Sequence, residues 1–137
     1  MGELVVLKGR SIVEGFARGR IFVIDDFISP LGEIDRVSGF LRKRGYPEIS
    51  LAGRILFFRG SRGSTVGPYI LYDLSKRNLA PAAMIVENAD QIIIIGGILG
   101  GITVVRIERW DDVKRIPNDA YAEVNALKEE AEVKVYV

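Results

Sequence analysis

The sequence contains no cysteine and no histidine. Those two absences exclude a disulfide framework, a cysteine nucleophile, a Ser–His pair and an imidazole base. They also exclude a thiolate- or imidazole-held metal centre within the chain. A transition metal or iron–sulfur cofactor serving this chain would need ligands mainly from another chain. Asp and Glu remain for a hard cation, but no Asp-x-Asp-x-Asp spacing occurs. Charge of one sign is lacking too: 19 basic and 18 acidic residues leave a net charge of +1. No basic face of the kind that grips nucleic acid is implied. The one dense run, Arg42-Lys43-Arg44, reads as a solvated face. Long apolar runs are also missing. Ile92 to Val105 is shorter than the ~20 residues of a membrane span, and four glycines interrupt it. The N-terminal residues lack the charged start and apolar run of a signal peptide. These features lead to the expectation of a cytoplasmic protein with no nucleic-acid and no membrane partner. A single Gln alongside abundant Ile is compatible with a heat-adapted source.

What is present suggests one domain over residues 1–137, with 48% apolar residues to build a core. Short β-rich stretches at Leu4–Lys8, Ser11–Phe16 and Gly19–Ile24 are punctuated by Gly9, Gly15 and Gly19, and Asp25-Asp26 closes the third. Residues 29–53 read as a long loop with a helical turn over Phe40–Arg44. Arg54 to Phe58 is a continuously buried strand. A helix follows from about Pro68 to Arg77, with an apolar stripe of Tyr69, Leu71 or Tyr72, and Leu74, and Asn78 at its C-terminal end. Ala82–Val86 and Thr103–Ile107 are strands. Gln91–Gly101 fits either a strand or a closely packed helix, and its glycines read as a packing device. Ala120–Asn125 and Glu132–Val137 form a closing hairpin. The order indicates an α+β domain, an open barrel-like sheet with one or two helices packed on it.

One segment carries chemistry. A strong strand runs into Arg59-Gly60-Ser61-Arg62-Gly63-Ser64-Thr65 and then into a helix start, with Pro68 near the first turn. Free N–H groups and the positive end of a helix dipole converge there, and Arg62 or Arg59 can add a bidentate grip on a carboxylate or phosphate. A serine hydroxyl in that setting can act as a base without histidine, because the same donors stabilise its alkoxide. It can equally be a helix N-cap and nothing more. Neither the Walker spacing nor the dinucleotide fingerprint is met. Asp25, Asp26, Glu33 and Asp35 read as turn residues rather than paired catalytic carboxylates, and Trp110 as a packing residue.

Several blocks together resemble the small-subunit domain of the aconitase X family. They are Ser50-Leu51-Ala52-Gly53-Arg54-Ile55-Leu56, Arg62-Gly63-Ser64-Thr65, Tyr69-Ile70-Leu71-Tyr72, and Ala80-Pro81-Ala82-Ala83-Met84-Ile85-Val86. Asp90, Gly96-Gly97-Ile98 and Gly101-Ile102 follow at matching places, and Lys8-Gly9-Arg10, Gly15 and Gly19 match the start. The likeness runs over roughly residues 8–136. It implies a swivelling β/β/α domain and a hydro-lyase subunit active only with a large partner in a heterodimer. The partner would hold a 4Fe–4S cluster. For a stand-alone small chain, the implied reaction is loss of water from (R)-5-phosphomevalonate to trans-anhydromevalonate 5-phosphate, in an archaeal mevalonate route to isoprenoids. The serine after Arg-Gly would be the proton acceptor. That is Ser64, with Ser61 of the preceding Arg-Gly-Ser triplet as the fallback. Arg62, Gly63 and Thr65 would bind the phosphorylated hydroxy-acid substrate. Pro68 departs from the small hydroxyl residue expected after Gly67. Two other readings stay open: a non-catalytic anion- or partner-binding swivelling module, and a dehydratase subunit for another hydroxy acid such as a hydroxyproline.

Overall fold

A computed structural model describes residues 2–137. Its centre is a closed seven-stranded barrel. The strands are β1 (Leu4–Val13), β2 (Gly15–Ile28), β5 (Ile55–Ser61), β6 (Ala83–Val86), β7 (Thr103–Ile107), β8 (Tyr121–Ala126) and β9 (Glu130–Tyr136). A separate two-stranded ribbon pairs β3 (Phe40–Leu41) with β4 (Ile49–Ser50). The sheet expected from sequence was open. It closes because β1 pairs with both β7 and β9, and β2 with both β5 and β8.

The barrel runs in order β1-β7-β6-β5-β2-β8-β9. Neighbours among β7, β6, β5 and β2 are parallel, and all other pairs are antiparallel. Alternate residues of the parallel strands point to opposite faces, and both faces are buried. Ile55, Phe57, Ala83, Ile85 and Val105 fill the barrel interior with Val124 and Val133 from the opposite wall. Leu56, Phe58, Met84, Val86 and Val104 form a second core under the helices.

Helix α2 (Gly67–Lys76) and helix α3 (Gln91–Gly100) lie side by side over that second core. The short α1 (Pro30–Glu33) opens with Ser29 as N-cap, its hydroxyl accepting from Gly32 N–H. In α2, Leu71 and Leu74 face inward as expected from the sequence, but Ile70 joins them in place of Tyr69, which faces water. Asn78 takes the left-handed conformation just past the helix, at φ 60°. The ambiguous isoleucine run is helical. Asp90 caps its start by accepting from Ile93 N–H, and Gly101 ends it at φ 65°. Its glycines do pack closely: a Cβ on Gly97 would lie 2.6 Å from Val104 Cγ2. Ile95, Ile98 and Leu99 are left exposed on its outer face. Among the described residues, no helix is long and apolar enough to cross a membrane.

Further sequence expectations are corrected. The three short N-terminal strands are two long ones. Gly9 and Gly19 lie within them and Gly15 begins the second, each where another strand or loop comes too close for a Cβ: at Arg106, Gly53 and Thr103 respectively. Asp25-Asp26 does not end β2 but sits where its register against β5 shifts, between Ile24 and Phe27. The stretch from Phe40 is not helical. Phe40 and Leu41 pair with Ser50 and Ile49, and Ile34 bridges to Leu41.

Candidate functional site

The parallel strands all end at one rim of the barrel, and the loop between β5 and α2 rises from that rim. Strand β5 extends through Arg59-Gly60-Ser61, because Gly60 and Ser61 still pair with Phe27 and Ile28 of β2. Arg62 N–H then donates to Ile28 O at 3.0 Å. Gly63 turns the chain at φ 102°, a conformation that favours glycine. A Cβ there would also sit 3.1 Å from Ser29 Oγ.

Ser64 is half-buried. Its Oγ accepts from Val66 N–H at 3.2 Å, and its carbonyl accepts from Gly67 N–H at 3.1 Å. The N-cap of α2 is Val66, at φ −79° and ψ −7°, with no side-chain cap. Ser64 therefore closes a turn ahead of the helix rather than capping it. Among the described residues, no acceptor takes the Ser64 hydroxyl proton. Thr65 is exposed beside it, and the buried Gly67 and Pro68 seat the helix start against Pro30 and Ile92.

Ser61 is held quite differently. Its hydroxyl donates to Asp90 Oδ1 at 2.6 Å, and its N–H donates to Asp90 Oδ2 at 2.7 Å. The two serines of the duplicated triplet are thus separated by their partners: one proton is engaged by a carboxylate, the other is not.

The two arginines also part. Arg59 is enclosed by structure: Nε donates to Asp25 at 2.9 Å, Nη1 donates to Glu87 at 2.7 Å, and the guanidinium lies over the Trp110 ring at 5.5 Å. Arg62 extends into solvent with its side chain 62% exposed. It makes one 3.3 Å contact to Asp26 and lies 5.4 Å from the Phe27 ring. Arg62, Gly63, Ser64 and Thr65 therefore stand together at the rim, while Arg59 braces the rim from beneath. Trp110 is a buried packing residue, as expected, and its indole N–H also donates to Asp25 at 2.9 Å.

Of the carboxylates read as turn residues, Asp35 is one: it accepts from Val37 and Ser38 N–H. Asp25 and Asp26 serve the rim instead. The Trp110 indole N–H, with the Arg59 guanidinium behind it, holds the Asp25 carboxyl below the usual carboxylate range. Phe27 N–H, then Lys43 and Arg62, does the same for Asp26. Lys43 corrects another expectation. The Arg42-Lys43-Arg44 run is not wholly solvated, because the Lys43 side chain is only 9% exposed and pairs with Glu33 at 2.9 Å and Asp26 at 3.6 Å. Sequence reasoning missed Lys43, Asp26 and Asp90 as parts of this rim. Their partners are distant in the chain, and no local pattern announces them.

Away from the rim, a groove of about 460 Å³ runs along Arg10, Arg106, Glu108 and Glu130, where Arg10 is already paired with Glu129 at 2.5 Å. Among the described residues, no group of three or more candidate ligands gathers to hold a metal ion.

A family model described as the aconitase X swivel domain matches residues 6–135. The phosphomevalonate dehydratase small subunit of Pyrococcus furiosus is 35% identical over 132 residues, 93% of this chain and 94% of the relative. That of Methanocella arvoryzae is 41% identical over 106 residues, 75% of this chain and 80% of the relative. A crystal structure of Thermococcus kodakaraensis aconitase X in its holo-form superposes with a TM-score of 0.84 at 36% identity, covering 94% of this chain and 98% of that one.

Proposed function

The chain belongs to the aconitase X swivel-domain family, and on that premise we propose that it is the small subunit of a hydro-lyase that dehydrates (R)-5-phosphomevalonate to trans-anhydromevalonate 5-phosphate. The substrate and the reaction are those of relatives named phosphomevalonate dehydratase small subunits, which this chain matches over most of their length. The partner is a large subunit, as their name implies. The 4Fe–4S cluster belongs to that partner in this reading. The present chain has no cysteine or histidine to ligate it.

The observation that carries the catalytic part is the difference between the two serines. Ser64 is the base in this reading. Its oxygen already accepts an N–H from Val66, so a donor is in place for the negative charge that develops as its own proton leaves. The start of α2 adds its dipole, and Arg62 adds a cation a short way along the loop. That proton goes to solvent before the site closes, and the Ser64 alkoxide then takes the hydrogen α to the substrate carboxylate as the β-hydroxyl group leaves, so that the two together account for the water lost. Arg62 binds an anionic group of the substrate by its guanidinium, and the backbone N–H groups of Gly63 and Thr65 supply further donors. Among the described residues, the Arg62 guanidinium has one hydrogen-bond partner, Asp26 at 3.3 Å, so its remaining donors are available. The site is completed when the domain swivels onto the large subunit, which excludes water from the reacting atoms.

The experiment is a dehydration assay with this chain and its cluster-loaded large partner. Loss of water from (R)-5-phosphomevalonate, dependent on both chains, supports the proposal. Complex formation without turnover of this substrate, but with turnover of a hydroxyproline, would move the substrate assignment. Turnover by the large chain alone would remove the catalytic role.

A further inference from the structure

Asp90 lies outside the loop that carries Ser64, at the junction of β6 and α3, yet its carboxylate holds the root of that loop. Oδ2 accepts from Ser61 N–H at 2.7 Å, and Oδ1 accepts from Ser61 O–H at 2.6 Å and from Ile93 N–H at 3.2 Å. Gly60 allows this approach, since a Cβ there would stand 3.1 Å from both Asp90 Oδ2 and Asn88 O. Asn88 N–H meanwhile donates to Arg59 O at 2.8 Å. On the far side, Arg62 N–H is fixed to Ile28 O at 3.0 Å. Residues 59–62 are therefore pinned from β6–α3 on one side and from β2 on the other. Among the described residues, the hydrogen bonds that hold Ser64 are those of the turn it makes with Val66 and Gly67.

We infer that Asp90 is the positioning residue for Ser64, binding the loop root to the start of α3 so that the serine oxygen stays where the reaction needs it. This inference rests on the reading of Ser64 as the base. Asp90 touches no reacting atom. It acts through Ser61, above all through the N–H bond to Oδ2, and the Ser61 hydroxyl adds a second tie rather than a catalytic group. The same carboxylate caps α3, so a shift of that helix relative to β5 is transmitted to the loop.

The test is a double-mutant cycle on the assembled two-subunit enzyme, reading kcat and KM for dehydration. Asp90→Ala lowers kcat ~10²-fold with little change in KM, the scale expected when a reacting group is displaced by about 1 Å. In a Ser64→Ala background the same substitution lowers the residual rate by less than about 3-fold, because the group it positions is gone. Asp90→Asn separates positioning from folding. Asparagine caps a helix as well as aspartate does, so the denaturation midpoint stays put. With the amide oxygen kept on Ile93 N–H, the carboxamide NH2 replaces Oδ2 and faces Ser61 N–H as donor to donor, so that bond is lost and kcat still falls. Three results would overturn the inference: wild-type kcat in Asp90→Ala, an equal loss from Asp90→Ala in both backgrounds, or full kcat in Asp90→Asn. Full activity in Ser64→Ala alone is a separate failure. It removes the base assignment, and with it anything for Asp90 to position.

Discussion

Strands β2, β5, β6 and β7 run parallel with helices on their outer face, whereas β1, β8 and β9 run antiparallel with their outer face in water. The parallel half is apolar on both faces: Ile55, Leu56, Phe57 and Phe58 are all buried. The antiparallel half alternates, as in β9, where Ala131, Val133 and Val135 are buried and Glu130, Lys134 and Tyr136 are exposed. The difference has a functional consequence. Parallel strands bring all their C-terminal ends to one rim, so loops and helix starts converge there. Antiparallel strands disperse their ends, and that wall carries surface ion pairs such as Lys8–Glu132 at 2.5 Å. The candidate site sits on the rim to which the parallel strands bring their C-terminal ends.

The largest effect that sharpens this contrast lies inside the parallel half. Phe57 is fully buried between both walls, and Phe57→Ala is expected to cost about 3–5 kcal/mol in denaturant unfolding. A loss below 1 kcal/mol would mean that the barrel interior is not packed as described. Next comes the seam between α3 and the sheet. A Cβ on Gly97 meets Val104 Cγ2 at 2.6 Å and Ile102 O at 3.1 Å, so Gly97→Ala is expected to destabilise by roughly 1–3 kcal/mol. An unchanged midpoint would show the helix free to move outward.

A smaller effect concerns the rim charges. The folded state lowers the Asp25 pKa, so the associated stability is present above the unfolded value of about 3.9 and is lost only as pH falls through the still lower folded value. Between pH 8 and 5 this group contributes no pH dependence. Trp110→Phe removes the hydrogen bond that does most to lower it, and the Asp25 carboxyl should then titrate at higher pH, as followed by NMR of its side-chain carbon. No upward movement would assign the depression to Arg59 alone. The smallest effect belongs to the antiparallel wall. The Lys8–Glu132 pair is solvent-exposed, so Lys8→Ala should leave the denaturation midpoint nearly unchanged, and less sensitive to salt than wild type.

The same contrast explains what was legible in the sequence. The parallel strands β5, β6 and β7 were readable as unbroken apolar runs. In the sequence Gly9, Gly15 and Gly19 look like strand stops, while in the barrel they mark close approaches of other chain segments. Four isoleucines in a row carry no period, so α3 was decided by its ends, Asp90 and Gly101, more than by its middle. Phe40 and Leu41 are strand only because Ile49 and Ser50 come back beside them. At the site, Arg62-Gly63-Ser64-Thr65 was legible as one loop. The split between Ser61 and Ser64 was not, because Asp90, which makes it, belongs to another element.

The central claim concerns that split. The most direct measurement compares Ser64→Ala with Ser61→Ala in the complex with the cluster-bearing large subunit, using (R)-5-phosphomevalonate as substrate. With Ser64 as base, Ser64→Ala assembles normally and loses ~10²–10⁴-fold in kcat. Ser61→Ala keeps its N–H bond to Asp90 and retains most of its activity. A fully active Ser64→Ala beside an inactive Ser61→Ala would contradict the account and make Ser61, with Asp90 as its proton acceptor, the working pair.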